Sequence, residues 1–120
     1  MRRPTSRQVL DRRRADRAAL VTRAERFADE LDVALGVRAV VVFGSVARGD
    51  FHDASDVDVL IVAEHLPQRA LERNAAVGLA PPRVEFVAWT PEEWRQERDR
   101  GNPIAVEAIE RGRLLRGSLD

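Results

Sequence analysis

The sequence predicts an α/β (α+β) fold led by a long N-terminal helix, on three observations. Apolar residues between Leu20 and Leu35 recur at helical spacing, short Val-rich runs are bounded by glycine or proline, and Thr90-Pro91 and Asn102-Pro103 punctuate the second half as helix starts. Helices thus alternate with short strands in a chain of 120 residues, 44% of them hydrophobic and 33% charged. That size and mixture suit one hydrophobic core and exclude a disordered polar chain. Residues 1–120 are accordingly expected to form one domain, with 1–19 as a basic helical extension.

Thr5 followed three residues later by Gln8 fits a capping box and starts the first helix. Leu20, Ala24, Phe27, Ala28, Leu31 and Leu35 continue it, and Gly36 is expected to end it. Val37 to Phe43 holds four Val and one Phe between glycines, which predicts a buried strand followed by a turn at Gly44. Asp56 to Val62 predicts a second strand, with Asp56, Asp58, Leu60 and Val62 on one face and Val57, Val59 and Ile61 on the other. Pro67 can open a helix through Ala70, Leu71, Ala75 and Ala76, which Gly78 and the Pro81-Pro82 pair stop. Val84 to Trp89 predicts a third strand. Thr90-Pro91-Glu92-Glu93 then combines an N-cap, a first-position proline and a capping-box Glu. Asn102-Pro103 opens a last helix to about Glu110, and Arg113 to Arg116 is expected to form an edge strand.

All 20 basic residues are arginine, and there is no cysteine. Disulfide frameworks, thiolate zinc sites, cysteine nucleophiles, Walker A lysines and Schiff-base lysines are therefore excluded. A bound phosphate must rest on arginine, backbone N–H groups or metal. The formal net charge is zero, which argues against a dedicated nucleic-acid binder. The charge is nonetheless segregated: residues 1–26 carry nine Arg against three carboxylates, and residues 44–64 carry one Arg against five. The Arg run 12–14 is either a solvated helix face or the one segment suited to nucleic acid or a protein partner. No apolar run approaches the roughly 18 residues of a membrane span, and the Arg-rich start lacks a signal-peptide h-region. A cytoplasmic protein without membrane attachment is expected.

The chemistry concentrates between Val40 and Val62, where ten residues separate Gly44-Ser45 from Asp56-Val57-Asp58. Alternation along a strand aims Asp56 and Asp58 to one side, so their oxygens can converge on hard divalent cations such as magnesium. Gly44 lets the backbone approach a phosphate, and a short helix starting near Ser45 would offer N–H groups and a hydroxyl to its oxygens. With seven Gly, four Ser and ten Asp in the chain, this four-residue pattern arises by chance roughly once in a thousand such sequences. Simpler readings stand beside these. Gly44-Ser45 could be a plain strand-to-helix turn with a capping serine, and the Asp pair could be salt-bridged to Arg38 or Arg48. Arg48 could equally pair with Asp50 or Asp53. His52 and His65 read as solvated loop residues, and Trp89 as core.

The stretch GSVARGDFHDASDVDVLIV resembles the nucleotidyltransferases of the DNA polymerase β superfamily, and within it the minimal nucleotidyltransferases with their G-S-x10-D-x-D signature. The resemblance implies a mixed sheet with helices packed mainly on one side, covering most of residues 20–116. It also implies a carboxylate on the third strand, for which PRVEFVAW offers Glu85 where family members commonly carry Asp. By resemblance, Asp56, Asp58 and Glu85 are catalytic and hold two magnesium ions. Gly44 and Ser45 bind the β and γ phosphates of ATP or another nucleoside triphosphate, and Arg48 neutralises one of them. The implied reaction moves a nucleoside monophosphate, AMP from ATP, to an acceptor hydroxyl with release of pyrophosphate. The implied partner is a HEPN-type toxin, adenylylated by an antitoxin of this kind. Transfer to a small molecule, as in aminoglycoside nucleotidyltransferases, is a second reading; it would require a homo-oligomer to supply an acceptor wall that 120 residues leave little room for. A catalytically silent binding module is a third.

Overall fold

Residues 3–120 are described by a computed structural model; residues 1 and 2 of the expected basic extension lie outside the described residues. The first helix, α1 (Ser6–Asp29), opens on the anticipated capping box, with the Thr5 side chain accepting from the Gln8 N–H and the Gln8 side chain accepting from the Thr5 N–H. It stops at Asp29 rather than running on to Gly36. Asp32 caps a separate 3₁₀ turn, Val33–Leu35, by accepting from the Ala34 N–H, and Gly36 closes that turn in the left-handed conformation. The apolar stripe persists across the break because Leu31 and Leu35 still point into the core.

Four strands follow the alternation of their side chains: β1 (Val37–Phe43), β2 (Val57–Ala63), β3 (Val84–Trp89) and β4 (Arg113–Gly117). They form one mixed sheet in the order β3-β2-β1-β4. β1 is antiparallel to both β2 and β4, whereas β2 and β3 are parallel. The parallel pair needs a crossover, and α3 (Ala70–Val77) provides it. Between β1 and β2 lies the five-residue α2 (Gly44–Arg48). Two helices, α4 (Pro91–Asp99) and α5 (Pro103–Arg111), start on the expected Thr90 and Asn102 caps.

The two faces of the sheet carry separate cores. The larger one gathers Leu20, Ala24, Phe27 and Leu35 from the N-terminal segment against Val40, Val42, Val57, Val59 and Ile61. The smaller sets Val41, Leu60 and Val62 against Trp94, Ala105 and Ala108 of α4 and α5, with Trp89 stacked on Trp94 at 6.3 Å. Helical cover is thus unequal, the bulk of it on the α1 face. Asp58, Leu60 and Val62 share the α4/α5 face by strand alternation, as do Glu85, Val87 and Trp89. Burial along α1 begins at Leu20; the preceding helix is largely exposed, apart from Arg13 and Arg17.

Candidate active site

The end of the sheet where β1 leaves and β2 and β3 enter brings the motif residues together. The antiparallel register sets Phe43 opposite Asp58, and the parallel register sets Asp58 beside Glu85. Asp56 lies two residues before Asp58, just outside β2. Asp58 and Glu85 are therefore neighbours at one corner of the α4/α5 face, with Asp56 at the same end of the sheet. Asp58 is the most confined: its carboxyl is pushed above the ordinary carboxylate range, first by burial and then by the negative charges of Glu85 and Asp56, with Arg48 pulling weakly the other way. Neither Asp56 nor Asp58 has an ion-pair partner among the described residues. Arg38 pairs with Glu64, while Arg48 pairs with Asp50 at 3.2 Å and Glu107 at 3.1 Å.

Gly44 sits against this corner. Its φ of +75° lies in the left-handed region, and a Cβ placed on it would fall 2.4 Å from Asp58 Oδ2. Only glycine permits that approach. The cap position of α2 is Phe43, which makes no side-chain cap hydrogen bond, so Ser45 does not serve as a capping serine. The first turn of α2 consequently begins beside the carboxylate corner without a side-chain cap hydrogen bond.

The loop that carries the chain from α2 to Asp56 is held at several points. Ser55 is buried and accepts from the His52 N–H at 2.8 Å, while the exposed His52 accepts from the Ala54 N–H at 3.2 Å. Arg83 donates to the Asp53 carbonyl at 3.0 Å and to the Ser55 carbonyl, with its own backbone at a left-handed φ of 66°. From α1, Arg17 donates to the Val46 and Ala47 carbonyls at 2.8 and 2.6 Å. Arg13 donates to the Gly49 and Phe51 carbonyls at 3.1 and 3.0 Å. Reading the sequence missed Arg13, Arg17, Arg83 and Glu107. One signal for two of them was present: Arg13 and Arg17 extend the stripe Leu20, Ala24, Phe27, Leu31 backwards at the same helical spacing, so they sit on the core-facing side.

All the donors at the corner are carboxylate oxygens, the chemistry a hard divalent cation prefers. Among the described residues no three His, Asp or Glu are gathered closely enough to hold an ion alone. Magnesium commonly takes one or two carboxylates and completes its shell with water and substrate phosphates, so the Asp56/Asp58 pair suits it. An open cleft of about 730 Å³ runs along β3, lined by Glu85, Phe86, Asn74 and Leu79. Asp56 and Asp58 are not part of its lining, and Val84 and Phe86, which are, pack into the α1-face core, so the cleft flanks the β3 edge of the sheet where Glu85 is exposed.

A mixed sheet thus sets a glycine-opened short helix against the carboxylate at the start of β2, the arrangement of a nucleotidyltransferase domain. The chain belongs to the nucleotidyltransferase domain family, whose profile matches residues 24–115. Among curated relatives it is 38% identical over 50 residues to "Putative protein adenylyltransferase MJ1305" of Methanocaldococcus jannaschii, a match spanning 42% of this chain and 30% of that protein. It is 57% identical over 28 residues to "Putative protein adenylyltransferase MJ0141" of the same organism, spanning 23% of this chain and 28% of that one. The matched stretches thus cover less than a third of each relative. A solved structure of a "putative nucleotidyltransferase" from Sulfolobus solfataricus shares the fold, with a TM-score of 0.63 at 22% identity over 85% of this chain and 84% of that one. Among the described residues, no helix is long and apolar enough to cross a membrane.

Proposed function

We propose that this chain is a magnesium-dependent adenylyltransferase that moves AMP from ATP to a hydroxyl of a protein partner, a HEPN-type toxin. The observation that supports the reaction best is the packing of Gly44 against Asp58, which sets the start of α2 beside a carboxylate burdened by two like charges. Such a carboxylate is stabilised by a cation, and a cation there would bring a triphosphate within reach of the Gly44-Ser45 N–H groups. The protein acceptor draws on the names of the curated relatives, and the HEPN class on the resemblance of the GSVARGDFHDASDVDVLIV stretch to minimal nucleotidyltransferases.

In this reading Gly44 and Ser45 receive the β and γ phosphates through backbone N–H groups and the free Ser45 hydroxyl. Arg48, held between Asp50 and Glu107, adds positive charge beside them. Magnesium held by Asp56 and Asp58 would supply charge neutralisation of the triphosphate and of the departing pyrophosphate. Glu85, exposed at the cleft, accepts the proton of the acceptor hydroxyl as its oxygen bonds to the α-phosphorus and the bond to pyrophosphate breaks.

The test is incubation with ATP labelled at the α-phosphate, magnesium and a co-expressed HEPN-type partner. Label is expected on a Ser, Thr or Tyr of the partner; this chain has no tyrosine, so tyrosine-bound label must lie on the other molecule. Transfer should vanish in Asp56→Asn and Asp58→Asn and with chelator. Transfer that persists in both variants would remove the assignment, and label confined to this chain would remove the partner.

A further inference from the structure

We infer that Arg13 and Arg17 are positioning residues for the nucleotide site: the basic helix α1 holds α2 by its exit, and thereby sets where the Gly44-Ser45 N–H groups point. This rests on the proposed function for its ligand. The structural part stands on the contacts themselves.

A helix leaves its last carbonyls without intrahelical partners, and one of five residues has almost nothing else. Isolated, so short a segment does not hold its shape in water. In α2 the Ser45 carbonyl is satisfied locally, by the N–H groups of Gly49 at 2.8 Å and Asp50 at 3.1 Å. The next two carbonyls, of Val46 and Ala47, are taken by the Arg17 guanidinium at 2.8 and 2.6 Å. Beyond the helix, the Gly49 and Phe51 carbonyls are taken by Arg13 at 3.1 and 3.0 Å, and its guanidinium lies 4.6 Å from the Phe51 ring centre. Two arginines four residues apart, on the core-facing stripe of α1, thus bind four carbonyls between residues 46 and 51.

The fork geometry matters at Arg17, whose Nε and Nη2 address two carbonyls at once from a rigid plane, while Arg13 reaches both of its carbonyls from Nη2. Their charge also lies at the C-terminal end of α2, where a cation stabilises the helix dipole. Asp58 blocks one side of Gly44 and the Arg pair holds the opposite end of α2, so the direction of its first turn is set from both ends. The two arginines are committed to backbone carbonyls, which removes them from the basic surface that α1 could offer to nucleic acid.

The experiment compares wild type with Arg17→Gln, Arg13→Gln, Arg17→Lys and, as a control for lost charge, Arg14→Gln on the exposed side of α1. Magnesium-ATP affinity is measured by calorimetry well below each variant's melting temperature. Amide hydrogen exchange is followed over residues 44–51. Arg17→Gln should weaken magnesium-ATP by about tenfold or more and speed exchange across 44–51 while the amides of β1 and β2 stay protected. Arg17→Lys keeps the charge and loses the fork, so it should recover only part of the affinity. Arg14→Gln should match wild type in both readouts. Unchanged affinity or unchanged 44–51 exchange in Arg17→Gln overturns the positioning role, as does a loss of affinity equal in Arg14→Gln. Failure of wild type itself to bind magnesium-ATP is a separate result: it overturns the functional reading, and the role assigned to the arginines falls with it.

Discussion

Replacing Gly44 by alanine combines two effects whose sizes follow from the geometry. The backbone at φ +75° stays available to alanine at a cost of about 1–2 kcal/mol. The added methyl must also clear Asp58 Oδ2, which lies 2.4 Å from the ideal Cβ position, where ordinary van der Waals contact requires about 3.4 Å or more. The carboxylate therefore has to retreat by roughly 1 Å, and a displacement of that size at a reacting centre typically costs about a hundredfold in rate. Gly101 supplies the control: its φ of +73° is nearly the same, and a Cβ there meets nothing within 4 Å. Gly101→Ala should then lose about 1–2 kcal/mol in urea melts from the backbone alone, and Gly44→Ala at least as much. Only Gly44→Ala should weaken magnesium-ATP binding and lower AMP transfer, by about two orders of magnitude for transfer. Equal transfer by the two alanine variants would falsify the claim that the close approach of Gly44 to Asp58 organises the site.

Asp58→Asn should raise the melting temperature of the nucleotide-free protein at pH 7 by about 1–3 °C, a modest gain because the carboxyl is partly solvated. Its folded pKa is raised, so the stability it contributes is present below the unfolded value and is lost as pH rises through the folded one; the advantage of the Asn variant should accordingly fade in melts run near pH 3. Glu85→Gln should retain magnesium-ATP affinity and lose about two orders of magnitude in transfer, whereas faster transfer by Glu85→Asp would identify the longer side chain as the weaker ligand; unchanged transfer in the Gln form excludes Glu85 from the chemistry. Burial pushes Glu93 up, but the Thr90 hydrogen bonds and Arg73 at 2.9 Å outweigh it and hold its pKa below the usual range. That contribution is present above the unfolded pKa and is lost as pH falls through the folded one; because the side chain is partly exposed and solvent screens its pair with Arg73, Glu93→Gln should destabilise by only about a few tenths of a kcal/mol in melts at pH 7 and by less near pH 3.

What the sequence determined by itself was local. The capping boxes at Thr5 and Thr90, the Pro-opened helices and the Val-rich strands rest on hydrogen bonds and side-chain alternation within a few residues, and such patterns are written in adjacent letters. The Gly44-Ser45 and Asp56-Val57-Asp58 pairs were legible for the same reason, since their spacing is a property of one strand-loop-strand segment. The stop at Asp29 was not, because the apolar stripe continues through Leu31 and Leu35 while only the Asp32 cap breaks the backbone. Everything that joins distant segments was decided by packing. The parallel pairing of β3 with β2 sets Glu85 beside Asp58, the seating of α5 gives Arg48 its partner Glu107, and the path of α1 brings Arg13 and Arg17 to carbonyls 29 to 38 residues away. A carbonyl carries no sequence signature, so an arginine that serves one looks in the sequence like any solvated charge; only the tertiary structure shows which groups burial leaves for it to bind.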